Sequence, residues 1–325
     1  MRRRNFMTLA GAAAAMSPIS AVAQSPAGVR RIGVLNIAGQ DMGPFQAAFV
    51  RGLAHYGYVP GRNVAIEYHG SEGHDDRLAP LAGELVASNV AVIIALGYQA
   101  ALTAKQVTTL PTVVFSAGDP VATGLAESLA RPGGHLTGIS DVSAEVTPKR
   151  MQLLKEFVPN LRRVAMLYNA DDLAMTLRYK ASEAGAKALG IAVQPLGVRA
   201  PADFDEAFAA MQREMPDGIL MVSDPLTSLN RPKVFEFAVA HRLPGIYEYD
   251  YIARSGGLMS YGLDLDESFA RVAALVDRIL KGAKPAELPF EQPTLFKFAI
   301  NTRAAKAIGL DVPPLLLARA DEVFD

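Results

Sequence analysis

Cysteine and tryptophan are both absent from this 325-residue chain. Without a thiol there is no disulfide framework, no thiolate zinc or iron–sulfur ligation and no cysteine nucleophile. Neither sign of charge is in excess: 32 Lys+Arg against 33 Asp+Glu leave a net charge of -1. Nucleic-acid binders carry a basic excess or stripe, so nucleic acid is not an expected partner. No run after the N-terminal segment reaches the roughly 20 apolar residues of a membrane-spanning helix, so no stable membrane insertion is expected. What the chain does have is apolar residues, 50% of the total, enough to bury a core. Its length suits two lobes, because single hydrophobic cores stop growing at about 250–300 residues.

Residues 1–23 read as an address. Three arginines, Arg2 to Arg4, precede an Ala-rich apolar run that ends in Ala21-Val22-Ala23, the three parts of a cleavable signal peptide. Arg3-Arg4-Asn5-Phe6-Met7 looks like a twin-arginine export signal. The expectation is export to the periplasm and cleavage after Ala23. Cleavage removes three arginines and no acid, leaving 302 residues with 29 Lys+Arg against 33 Asp+Glu. No cysteine follows the cleavage site to carry a lipid anchor.

From Arg31 onward, short apolar runs alternate with stretches of helical spacing. Strands are expected at Ile32–Ile37, Val64–His69, Val90–Leu96, Thr112–Ser116, Val164–Tyr168, Ala192–Gly197, Gly218–Val222 and Gly245–Tyr247. Helices are expected at Phe45–Tyr56, Arg77–Ala87, Tyr98–Gln106, Lys149–Val158, Leu177–Leu189, Phe204–Met211 and Pro232–His241. Such alternation predicts α/β lobes with doubly wound parallel sheets. The series runs twice, and breaker-flanked extended segments at Arg131–Ser140, Gly256–Gly262 and Pro293–Phe298 suit crossovers between two lobes. Ligands of open α/β sheets bind outside the carboxyl ends of the strands, so the cleft between the lobes is the expected site.

No nucleophile elbow, phosphate loop, HExxH or GxGxxG motif is present. His69, Glu72, His74, Asp75 and Asp76 match no standard metal spacing, and a polar turn with Asp75 or Asp76 capping the next helix accounts for them. No cofactor, metal ligand or catalytic residue is assigned. The residues directly after the strands are more informative: Gly39 and Gln40; Tyr98, Gln99 and Ala100; Asp119 and Pro120; Asn169; Asp224; Tyr247. Helix N-termini there offer N–H groups to a carboxylate, at Tyr98–Ala100 and Asp119–Val121. Asp119 or Asp224 would meet an ammonium. Tyr98, Tyr247 and Tyr261, the last on a crossover, would supply apolar walls with polar tips.

Several stretches carry a resemblance. They include Tyr56-Gly57-Tyr58-Val59-Pro60-Gly61-Arg62-Asn63, Gly118-Asp119-Pro120-Val121, Arg131-Pro132-Gly133-Gly134, Gly256-Gly257-Leu258-Met259-Ser260-Tyr261-Gly262 and Leu288-Pro289-Phe290-Glu291-Gln292-Pro293-Thr294. Together they resemble the ABC-transporter substrate-binding family related to tryptophan- and tyrosine-type binding proteins, which has the class I periplasmic-binding fold. The resemblance implies three crossovers, one lobe from 29–139 plus 262–290, the other from 140–261 plus 291–325, and a ligand between them. It further implies a monomer that passes a small carboxylate-bearing molecule, an amino acid or aromatic acid, to an inner-membrane ABC permease. The departures from the family pattern fall near the expected site. Members commonly have Gly-Thr-Pro where this chain has Gly97-Tyr98-Gln99, Asn-Pro where it has Asn169-Ala170, and a basic residue where it has Tyr249-Asp250.

An exported hydrolase or isomerase using Asp119, Asp224 and a histidine is the alternative, although no nucleophile–base pair is visible. A transcription regulator on the same fold would need a DNA-binding helix pair where the export signal stands.

Overall fold

The structure, a computed structural model, describes residues 28–325 except Asp141, and not the side chains of residues 143 and 144. The export signal of residues 1–23 lies outside the described residues.

Two sheets form. The first contains β1 (Arg30–Asn36), β2 (Val64–Gly70), β3 (Val92–Leu96), β4 (Thr112–Phe115) and β5 (Leu136–Gly138), in the order β2-β1-β3-β4-β5 with every pair parallel. The second contains β6 (Arg163–Asn169), β7 (Ala192–Val198), β8 (Gly218–Met221), β9 (Gly245–Tyr247), β10 (Met259–Leu263), β11 (Phe296–Asn301) and β12 (Glu322–Phe324). Its order is β12-β11-β10-β9-β8-β6-β7, so the 2-1-3-4-5 winding of the first sheet is repeated and two strands are added. Only the β10–β11 pair is antiparallel. In this winding the order reverses between the first and third strands, and a crevice opens at that switch point.

The helices are α1 (Pro44–His55), α2 (Leu78–Ala87), α3 (Tyr98–Val107), α4 (Ser143–Phe157), α5 (Leu173–Ala188), α6 (Asp203–Arg213), α7 (Pro225–Leu229), α8 (Arg231–His241), α9 (Asp250–Arg254), α10 (Leu265–Leu280), α11 (Thr302–Ala307) and α12 (Pro314–Arg319). The chain crosses between lobes after β5, after β10 and before β11. At one crossing Glu291 donates its N–H to the Gly138 carbonyl at 2.9 Å and accepts from the Ser140 N–H at 2.7 Å, which ties two of the passages together. Helix α10 returns to the first lobe and packs on α1. The approach depends on Gly52, where a Cβ would lie 2.7 Å from the Phe269 carbonyl oxygen. Phe269 and Val272 are buried in this contact, each worth roughly 1.5–3 kcal/mol of apolar burial.

The expected strands and helices form with shifts of a few residues at their ends. Helix α4 starts six residues before Lys149 and runs through Pro148, and α5 starts at Leu173 because Asp172 caps it. Helix α10 and strand β12 are not among the elements expected from the sequence. Asp75 and Asp76 do not cap α2; they form a single 3-10 turn, and Arg77 occupies the cap position without a side-chain bond.

Candidate functional site

A cavity of about 320 Å³ lies between the lobes, within the size range of small-ligand sites. Its lining comes from carboxyl ends of strands on both sides: Asn36 and Ile37 after β1, Leu96 and Gly97 after β3, Ser116 after β4, Ser223 and Asp224 after β8, Tyr249 after β9. The two switch points therefore face one another. Local backbone geometry aims the lining residues. Gly97, at φ 88°, turns the chain from β3 into α3 so that Tyr98 opens the helix at the cavity. Ser116 holds a left-handed φ of 58°, a strained conformation for a non-glycine residue of the kind that collects at functional sites.

The second lobe supplies the charge. Asp224 caps α7 in a full capping box: its Oδ1 accepts the Thr227 N–H at 2.8 Å, and Thr227 Oγ1 accepts the Asp224 N–H at 3.0 Å. Its Oδ2 accepts from Asn169 Nδ2 at 2.7 Å. Asp172 caps α5 and accepts the Met175 N–H at 3.1 Å. Both carboxyls are buried, 4% and 7% exposed. Burial pushes the Asp172 carboxyl up to about 7, with the negative charge of Asp224 adding to it against the cap hydrogen bonds. Burial likewise raises Asp224, opposed by its bonds from Thr227 and Asn169. The charge of Arg178 also opposes the rise at Asp224, but burial outweighs it, and two buried carboxyls at one cavity suit a ligand that brings a positive charge.

Other walls of the cavity are aromatic. Phe45, from the start of α1, makes edge contacts at 5.7 Å with both Tyr249 and Tyr251 and at 6.3 Å with Phe115. Tyr249 and Tyr251 stack at 5.8 Å. Contacts cross the cleft elsewhere too: Gln99 Nε2 donates to the Asp171 carbonyl at 3.3 Å, and Gly118 lies against Ala174. The lobes are closed on each other.

Of the residues expected from the sequence, Tyr98 and Asp224 line the cavity. Asn169 supports it from behind through Asp224, and Gln99 bridges the lobes beside it. The others stand elsewhere. Gly39 is bracketed by Asn36, which accepts its N–H at 2.9 Å and donates to its carbonyl at 3.1 Å, and Gln40 points to solvent. Ala100 packs in the core on the inner face of α3. Asp119 is exposed, and its own Oδ1 accepts the N–H groups of Val121 and Ala122, so these N–H groups are not open to an anion. Pro120 is buried behind that turn. Tyr247 is 1% exposed against Phe235, because its strand position faces the core. Tyr261 stacks on Phe296, and its carbonyl accepts from Arg150 Nε at 2.6 Å. Phe45, Phe115, Arg231 and Tyr251 line the cavity without having been expected there, whereas Asp172 and Tyr249 stand in the segments after β6 and β9 that the sequence points to, although neither was assigned to the ligand. For Asp172 a signal existed, an Asp directly before an apolar helix.

Among the described residues no histidine lines the cavity, and neither does Asp119, so the set of Asp119, Asp224 and a histidine does not come together there. Among the described residues no cluster of His, Asp or Glu is placed to hold a metal ion, and no helix is long and apolar enough to cross a membrane.

Two wound lobes, three crossings and an interlobe cavity at the facing strand ends define a ligand-binding protein of the periplasmic-binding type. Residues 32–324 match the family model for ABC transporter substrate binding proteins, and the chain belongs to that family. It is 23% identical over 263 residues, 81% of this chain and 75% of the relative, to the tyrosine-binding protein of Clostridioides difficile. Among solved structures it resembles a conserved domain protein from Vibrio cholerae (TM-score 0.84, 24% identity, 91% of this chain and 99% of that one). It also resembles an ABC domain from Streptococcus pneumonia in complex with L-Trp (TM-score 0.81, 25% identity, 91% and 99%).

Proposed function

We propose that the chain is exported to the periplasm, where as a monomer it captures an α-amino acid with an apolar or aromatic side chain and presents it to an inner-membrane ABC permease. The observation that carries this reading is the pairing of two buried carboxyls, Asp172 and Asp224, with an aromatic wall inside one cavity closed by both lobes. The ammonium goes to Asp172 and Asp224. The carboxylate goes to the first turn of α3 at Tyr98–Ala100, where no side chain caps the helix. The side chain lies against Phe45, Tyr249 and Tyr251. A tyrosine-binding relative and an L-Trp complex of the same fold support the class. The lobes are taken as 29–139 plus 262–290 and 140–261 plus 291–325, and export as cleavage after Ala23.

Calorimetric titration of protein refolded free of carried-over ligand tests the reading, with tryptophan, tyrosine, phenylalanine and leucine as ligands. The chain has no tryptophan, so tryptophan capture is also visible as ligand fluorescence without background from protein tryptophan. No heat, no fluorescence change and no melting shift across all four would refute it. N-terminal sequencing of periplasmic material is expected to begin at Gln24, and a retained Met1 would refute export by cleavage.

A further inference from the structure

Besides the two acids, a cation lines the cavity. Arg231, the first residue of α8, is half-buried beside Leu229 and Tyr251. Its Nη1 donates to the Ser228 carbonyl at 2.6 Å and its Nε to Ser255 Oγ at 3.2 Å. Its guanidinium carbon lies 5.9 Å from the centroid of the Tyr251 ring. These contacts fix the guanidinium, yet every partner is neutral. No described carboxylate lies within ion-pair distance, and Nη2 donates to no described group. A guanidinium offers five donors in a rigid fork, so one held from behind at a cavity wall keeps donors for whatever enters.

Its placement relative to the acids matters. Asp224 caps the N-terminus of α7, and Arg231 follows two residues after its C-terminus. Five residues at about 1.5 Å of rise each make α7 roughly 7.5 Å long. The acidic and basic groups thus stand at opposite ends of one short helix, with the stacked Tyr249 and Tyr251 rings in the wall of the same cavity. An α-amino acid carries both of its charges at one end. A cation at the far end has no counterpart in a bare hydrocarbon side chain.

We propose that Arg231 is a specificity-determining residue that reads an acceptor oxygen at the far end of an aromatic side chain. The site then prefers amino acids whose ring carries a phenol or carboxylate oxygen over those whose ring carries none. This rests on the amino-acid reading above. An apolar wall separates similar rings weakly, whereas a ligand that leaves a desolvated donor unpaired is rejected strongly.

Titration of phenylalanine, tyrosine and 4-carboxyphenylalanine against the wild type and Arg231→Met tests it. The wild type is expected to bind at least one oxygenated ring about tenfold or more tighter than phenylalanine. Whichever of tyrosine and 4-carboxyphenylalanine binds tighter identifies the oxygen. Arg231→Met keeps the apolar stem; it is expected to hold phenylalanine within about threefold of wild type and to lose the preference. If that variant does not fold, Arg231→Gln takes its place. Two results overturn the proposal: no preference for an oxygenated ring in the wild type, or equal weakening of all three ligands in the variant. The second would assign Arg231 to the ligand's α-carboxylate or to the fold. A wild type that binds none of the three, nor tryptophan or leucine, overturns the amino-acid reading itself, and is recognised by that wider silence.

Discussion

The hydroxyl oxygens of Ser116 and Tyr249 lie 3.1 Å apart across the cleft, one at the end of β4 in the first lobe and the other just after β9 in the second. The bond exists only when the lobes are closed, so it favours the state that encloses a ligand. Tyr249→Phe keeps the ring that stacks on Tyr251 and deletes this bond. It is expected to weaken ligand affinity about two- to tenfold, the worth of one ordinary hydrogen bond. The melting temperature of ligand-free protein should change little. Calorimetry against thermal denaturation separates the two effects, and an equal loss in both would place the bond in the fold instead of in closure.

Closure also depends on a missing side chain. Gly118 sits at φ 77°, and a Cβ there would lie 2.7 Å from Cβ of Ala174 in the other lobe. Gly118→Ala is expected to open the cleft and weaken binding while costing about 1 kcal/mol through its left-handed backbone. Adding Ala174→Gly removes the clash and not the backbone cost. The double variant should therefore recover affinity and compactness in small-angle scattering while its melting temperature stays low.

Asp172 gives the site a pH dependence of defined sign. Its carboxyl titrates at about 7 in the folded chain against the ordinary aspartate value of 3.8, so the folded form holds the extra proton between those values. Stability of ligand-free protein contributed by this group is therefore present at low pH and lost as pH rises from about 4 through 7. Asp224 is raised as well and acts in the same direction. An ammonium pairs with the ionised carboxyl, so ligand affinity should rise with pH across about 6 to 8, with proton release on binding. Asp172→Asn keeps a good helix cap and should flatten both profiles. Melting curves and calorimetry in buffers of different ionisation heat read the two quantities.

Behind the cavity, Glu248 accepts Arg150 Nη1 at 3.1 Å, Arg178 Nη1 at 3.2 Å and the Ser223 N–H at 3.1 Å. Arg150 reaches on to the Tyr261 carbonyl next to a crossover, so one carboxylate ties the cavity wall to the passage between lobes. All three ionised side chains are buried, 3–4% exposed. Glu248→Gln is expected to destabilise the chain by more than about 1 kcal/mol, because two buried guanidiniums lose one of the charges they are buried against. Urea unfolding measures this, and a loss below about 1 kcal/mol would be the contrary result.

The sequence by itself determined the alternation of strand and helix, because period-2 and period-3.6 apolar patterns are local. It also marked Asp224, whose position before Pro225 and three residues ahead of Thr227 spells a capping box within one turn. The Asp-Pro step that follows a strand recurs at Asp119 without the threonine three residues on, and such a carboxylate either closes its own turn, as Asp119 does, or faces a cavity, as Asp224 does. Which of the two happens depends on what the other lobe brings opposite. The aromatic wall shows this most plainly. Phe45 is separated from Tyr249 and Tyr251 by about two-thirds of the chain, and no local pattern links them. Only the doubled winding, with both switch points turned toward one cleft, brings those rings, the two buried acids and Arg231 around a single cavity.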